Sequence, residues 1–431
     1  MIMSILIKNA YIITQNKKRE QFTGSVFIED GCICEISRKP LMVEADCTID
    51  GTKKVVLPGL VNTHTHIPMT LLRGYGDDLV LKQWLEQCIW PVEAKLTSAT
   101  VKVGTALGLL EMIASGTTTF LDMYFFEDAI GEMTSTAGLR GFLGFPMIDS
   151  GTPECSAERL YPECERFIKK WKTHELIQPV VAPHAVYTCG PETLQKARDL
   201  ALKQKVLLHI HCSETREEVY DVQKRYGMRP VEQLKQQGLL GENMVLAHCG
   251  WITKNEICDI QKGGASVSHC PVSNMKIATG GYAPVPEMLT AGVPVGLGTD
   301  GAASNNVLDM FDTMKFCALV HKQHRWDPEV MPAQTVLDCA TSDGARCLRM
   351  QKELGSVEEG KKADLILVDL QTPHLTPRHD LVSHLVYAAR GSDVWGTIVN
   401  GKPLYLDRRF LTLDSEKILE EAERVAQELT S

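Results

Sequence analysis

The chain has 431 residues, of which 44% are hydrophobic and 23% charged, with a net charge of −9. That length exceeds one small core and suits a large domain with a smaller companion. No run of five like charges offers a basic face to nucleic acid or an anionic membrane, and nowhere do about 18 apolar residues follow one another as a transmembrane helix requires.

In chain order, the opening "MIMSILIKNAYIITQNKK" alternates like a strand and lacks the basic start, long apolar stretch and small-residue cleavage site of a leader, so a cytoplasmic protein is expected. Residues 3–54 continue as short strands with turns at "EDGC" and "IDGT". From 55 to 301 a rhythm repeats: a short apolar run ending in polar chemistry, then a helical stretch. The runs cover residues 55–66, 117–123, 140–149, 178–188, 206–215, 244–253, 265–274 and 293–301. Eight such units predict parallel strands with right-handed crossovers, an α/β fold of the (β/α)₈ barrel type. An open doubly wound sheet would want a phosphate-binding glycine loop after its first strand, and none is present. Residues 363–406 return to strand patterns, with Asn400-Gly401 as a type I′ hairpin signal.

The expected organisation is a small β-sandwich from residues 1–56 and 356–410, a barrel over 57–355, and a C-terminal helix over 411–431. Fourteen cysteines are scattered without a C-x-x-C pair and read as reduced, mostly structural thiols. Cys32 and Cys34 alternate on a strand and suggest no function.

In a barrel, chemistry sits at the C-terminal strand ends. His64 and His66, two apart on the first run, project from one face about 7 Å apart and can both reach one ion. Later runs add His211 and Glu214, then His248, His269 and Asp300. A hydrolytic metal site needs three or four N/O ligands and an open position, which His64, His66, His211 and Asp300 supply. A bound divalent ion lowers the pKa of its water from about 15.7 to about 7. Asp300 is placed to accept that water's proton, Glu214 to carry it to a substrate, and His248 to hydrogen-bond the attacking oxygen. His209, one layer deeper than His211, reads as core, and His269 as structural. No H-E-x-x-H, no H-x-E with P-C-x-x-C, and no G-x-S-x-G is present.

"PGLVNTHTH", "HIHCSET", "LAHC", "HCPVSN" and "LGTDG", in this order, resemble the amidohydrolase superfamily, in its mononuclear deaminase and chlorohydrolase branch. The resemblance runs from residue 3 to about 410. Relatives with two metals carry a carboxylated lysine at the end of strand four, where this chain has His184 in "APHAVYTCG". "HIPMTLLRGYGDDLVLKQWLEQCIWPVEAKLT" and "PHAVYTCG" look like the deaminases of adenosine derivatives. The resemblance implies one Zn²⁺ per subunit, with Fe²⁺ or Mn²⁺ as substitutes, a nucleoside substrate and a homotetramer. It also implies Glu93 on the ribose hydroxyls, His184 on the nucleoside, and Glu214 and Asp300 on the reacting ring. Relatives that take S-adenosylhomocysteine use two arginines for its carboxylate; Phe145-Pro146 stand where the first is expected, and Arg159 matches the second. The expected reaction is deamination at carbon 6 of adenine, with guanine, another aminated heterocycle or a chloro-triazine as alternative substrates. A metal-free interaction protein on this scaffold would lack ligands that this chain retains.

Overall fold

The computed structural model describes residues 4–431; residues 1–3 and the side chains of 81 and 82 lie outside the described residues. Eight parallel strands close into a barrel: β1 (Leu60–Thr65), β2 (Thr117–Met123), β3 (Arg140–Met147), β4 (Ile177–Pro183), β5 (Leu207–Cys212), β6 (Met244–His248), β7 (Ser266–His269) and β8 (Val295–Leu297). Helices follow the strands and cover their outer faces, which is why the strands read as nearly unbroken apolar runs. The seam is short, with Leu297 opposite Asn62 as its one paired position. Side chains reinforce it: the Asn62 amide donates to Thr299 Oγ1 at 2.7 Å and accepts the Thr299 N–H at 3.0 Å.

The first apolar run does not form one strand. Lys54–Pro58 belongs to a separate sheet, and the barrel strand begins at Leu60. Proline has no N–H to continue a ladder. At Gly59 a Cβ would come within 2.0 Å of the Thr118 hydroxyl, so only glycine fits the corner. The Val55-Val56-Leu57 segment therefore joins two layers instead of entering the barrel.

Both ends of the chain meet in one hydrogen-bonded mixed sheet of nine strands, not two separate sheets. Its alternation is apolar on both faces. Val55, Leu57, Ile366 and Val368 join the barrel's core, while Val56, Leu365 and Leu367 pack with Ile5, Ile12 and Val26 in a core of the sheet's own. Asn400 and Gly401 both take positive φ, 49° and 72°, between Val394–Val399 and Lys402–Leu406, as a type I′ hairpin demands. The helix Ser415–Thr430 buries Ala422, Val425 and Leu429 and packs against Ser98–Ala114. No single helix among the described residues is long and apolar enough to cross a membrane.

A buried ion pair rivets sheet to barrel. Arg140, at the start of β3, donates through Nε and Nη2 to the two Asp364 oxygens at 2.9 and 3.0 Å, and Asp364 also accepts the Asn400 N–H at 2.8 Å. Removing one member strands the other charge in the interior. Arg140→Ala is expected to lower unfolding free energy by about 3–5 kcal/mol, read from the shift of the chemical denaturation midpoint.

Candidate metal and active site

The strand ends bring His64 (β1), His66 (just past it), His211 (β5), His248 (β6) and Asp300 (beyond β8) to one place. The His64 ring centre lies 4.8 Å from that of His66, 4.9 Å from His211 and 5.3 Å from His248.

Hydrogen bonds fix which nitrogen of each ring carries the proton. His66 Nδ1–H donates to the Met123 carbonyl, and His211 Nδ1–H donates to the His184 carbonyl at 2.8 Å. His209 Nδ1–H donates to the Val245 carbonyl at 2.9 Å, which leaves His209 Nε2 as an acceptor for His64 Nδ1–H at 2.8 Å. All three Nε2 atoms of His64, His66 and His211 are therefore lone pairs aimed inward. Burial holds each imidazole below its ordinary pKa.

Such an arrangement is repulsive by itself. His66 Nε2 and His211 Nε2 stand 3.3 Å apart, and His64 Nε2 is buried with no partner. Asp300 Oδ1 lies 3.3 Å from His66 Nε2 and 3.6 Å from His64 Nε2. Metal–nitrogen bonds of 2.0–2.1 Å in a tetrahedral site put ligand atoms about 3.3–3.4 Å apart. His64, His66 and Asp300, with His211 Nε2 beside His66, thus have the spacing that one divalent cation of the zinc class takes.

His248 is wired the opposite way. The Asn274 amide donates to its Nδ1 at 3.0 Å, so Nε2 carries a proton and presents a donor to the site. Burial works to raise the Asp300 carboxyl, but His66, His248, the Ser273 hydroxyl (2.5 Å) and the Gly301 N–H (2.7 Å) outweigh it and hold Asp300 below its ordinary value. Glu214 has no such support. Burial, then the Asp300 charge, pushes it up to about 8, and its carboxylate stands 3.9 Å from His248 Nε2. Glu218 braces the loop beneath it by accepting the N–H groups of Ser213 (2.9 Å) and Glu214 (2.7 Å). Ser213, His248 and Asp300 all adopt positive φ (51°, 71° and 63°), backbone strain concentrated where these side chains turn into the site.

A cavity of about 480 Å³ opens from these groups. Glu93 lines it, accepts the Tyr124 hydroxyl at 2.9 Å, and is pushed up to about 7 by burial. His184 lines it as well and shares a 2.9 Å hydrogen bond with Thr188 Oγ1. Trp84, Leu85, Ile89, Trp90 and Phe125 give it an apolar wall, and among the described residues no lysine or arginine lines it. Pro146 faces the cavity, whereas Phe145 turns outward onto Phe167, 5.7 Å between ring centres. Arg159 is not brought into this group: its side chain is 70% exposed and pairs with Glu163 one helical turn away. His269 lies apart, 3.2 Å from His321 between Nε2 atoms.

A family model described as "Amidohydrolase family" matches residues 55–404. The chain belongs to the amidohydrolase family. As an amidohydrolase it is a metal-dependent hydrolase acting on carbon–nitrogen bonds. It is 49% identical to a 5-methylthioadenosine/S-adenosylhomocysteine deaminase of Thermococcus onnurineus, over 99% of this chain and 100% of that one. It is 46% identical to a 5′-deoxyadenosine deaminase of Methanosarcina mazei, over 99% and 98%. The crystal structure of an adenosine deaminase from Xanthomonas campestris with bound zinc superposes with a TM-score of 0.96 at 34% identity, covering 99% and 98% of the two chains.

Four residues of this amidohydrolase site escaped sequence reasoning: His209, Glu218, Ser273 and Asn274. Glu218 had a signal, since Thr215-x-x-Glu218 is a capping pattern and Thr215 Oγ1 accepts the Glu218 N–H at 3.1 Å. Ser273 and Asn274 lay inside the quoted "HCPVSN" without a role. His209 is buried, as expected of a core residue, yet it also sets the tautomer of His64. Partners that orient ligand histidines are worth about 10–100-fold in metal affinity. His209→Leu is expected to weaken metal binding by about that factor, measured by competition with a chelator.

Proposed function

We propose that this amidohydrolase deaminates adenosine derivatives with an uncharged 5′ group, such as 5′-deoxyadenosine or 5′-methylthioadenosine, giving the inosine analogue and ammonia. The observation that carries the reading is a buried Glu214 whose carboxyl stands 3.9 Å from His248 Nε2 beside the inward-facing metal donors, in a cavity lined also by Glu93 and His184. The names borne by its relatives support the same reaction class.

His64, His66, His211 and Asp300 would hold one Zn²⁺ per subunit. When bound, that ion supplies a water ionisable near neutral pH and a positive charge beside the reacting carbon. Glu214, kept protonated by burial, gives its proton to ring nitrogen 1 of adenine, which makes carbon 6 electrophilic. Asp300, held ionised, takes a proton from the attacking water. His248 donates Nε2–H to the oxygen arriving at carbon 6, and Asn274 keeps the proton on that nitrogen. Glu93 has one oxygen occupied by Tyr124, leaving the other to accept from the ribose hydroxyls. His184 contacts the nucleoside beside them. A cytoplasmic homotetramer completes the reading, by resemblance.

The 5′ group meets the apolar wall. An S-adenosylhomocysteine carboxylate would find no cation there among the described residues, and Arg159 is engaged with Glu163 at the surface. A charge-assisted hydrogen bond contributes about 1.5–3 kcal/mol. Assays across 5′-substituted adenosines are expected to give kcat/KM about tenfold or more higher for 5′-deoxyadenosine than for S-adenosylhomocysteine, and the reverse order refutes the assignment. Glu214→Gln is expected to lower kcat by about 10²–10⁴ with bound metal unchanged by elemental analysis.

A further inference from the structure

A second group of metal-type donors lies outside the active site. His269 ends β7, and Cys317 and His321 stand four residues apart on one face of the helix Met310–Arg325. One donor atom from each lies within 4.8 Å of the other two, and all three residues are buried.

A plain hydrogen bond between two imidazoles of opposite tautomer accounts for the 3.2 Å between His269 Nε2 and His321 Nε2. It gives the neighbouring free thiol no part. The 3.2 Å separation also sits close to the edge of a tetrahedral site, about 3.3–3.4 Å for metal–nitrogen bonds of 2.0–2.1 Å. A free cysteine with two imidazoles is a donor set that selects a borderline-soft ion over magnesium or calcium. Beside His269 lies a cavity of about 240 Å³, lined also by Asn274, Tyr282 and Val320, with room for water at that end of the cluster.

We propose that His269, Cys317 and His321 bind a second divalent cation of the zinc and cobalt class, distinct from the one at the reaction centre. Burial pushes the Cys317 thiol up to about 12, so it is protonated without a cation. Coordination forms the metal–sulfur bond and releases that proton to solvent, with no change of oxidation state. The site adjoins the chemistry: Asn274, which lines this cavity, is the residue that donates to His248 Nδ1.

Cobalt(II) reports the two sites separately, because the four active-site donors contain no sulfur. Apo-enzyme titrated with excess Co²⁺ is expected to take up two equivalents and to develop a thiolate-to-cobalt charge-transfer absorption in the near ultraviolet. Cys317→Ser is expected to lose that absorption and one equivalent of metal while keeping the other. Wild-type protein without the thiolate absorption overturns the proposal, as does a Cys317→Ser protein that retains it. The wild-type measurement stands whether or not the variant folds.

Discussion

Everything at this reaction centre depends on where three protons sit. Because the Nδ1 atoms of His64, His66 and His211 are all spent as donors to acceptors behind them, three lone pairs face inward beside the Asp300 carboxylate, all of one sign. The protein has already met the desolvation of these rings, and a cation recovers part of that cost. His248, tied through Asn274 in the inverse sense, presents an N–H to the site instead of a lone pair. Two roles for one residue type are thus set by what stands behind each ring.

The same economy of backing groups extends outward. Asp122 and Glu127, both fully buried, accept the N–H groups of Ile67 (2.6 Å) and Tyr124 (3.0 Å). Ile67 follows the ligand His66, and Tyr124 holds Glu93. Burial raises both carboxyls, Asp122 to about 8. One acidic pair therefore registers the loop after His66 against Tyr124 and the Glu93 it holds.

Much of this was legible in the amino-acid order because it sits at strand ends. A histidine that terminates a buried parallel strand has few structural reasons to be there, which is why His64, His66, His211, His248 and Asp300 could be picked out together. Residues acting through another residue were not legible. His209 and Asn274 matter through one hydrogen bond each, to a partner 145 and 26 positions away respectively. The split at Pro58-Gly59 was hidden for a different reason: both halves are apolar, and a strand buried on two faces reads alike whether a helix or a second sheet covers it. Arg159 marks the limit of carrying a role across by alignment, since its helix presents it to solvent and to Glu163.

The closing seam has a consequence for how the enzyme is made. The first two ligands leave the ribosome well over two hundred residues before Asp300, and the bonds that join β8 to β1 are the same ones that deliver Asp300, whose N–H is held by the His64 carbonyl at 3.0 Å. A nascent chain that stops short of Asp300 holds at most the three histidines, without the carboxylate or the closing strand. The full donor set therefore exists only once the cylinder has closed on itself.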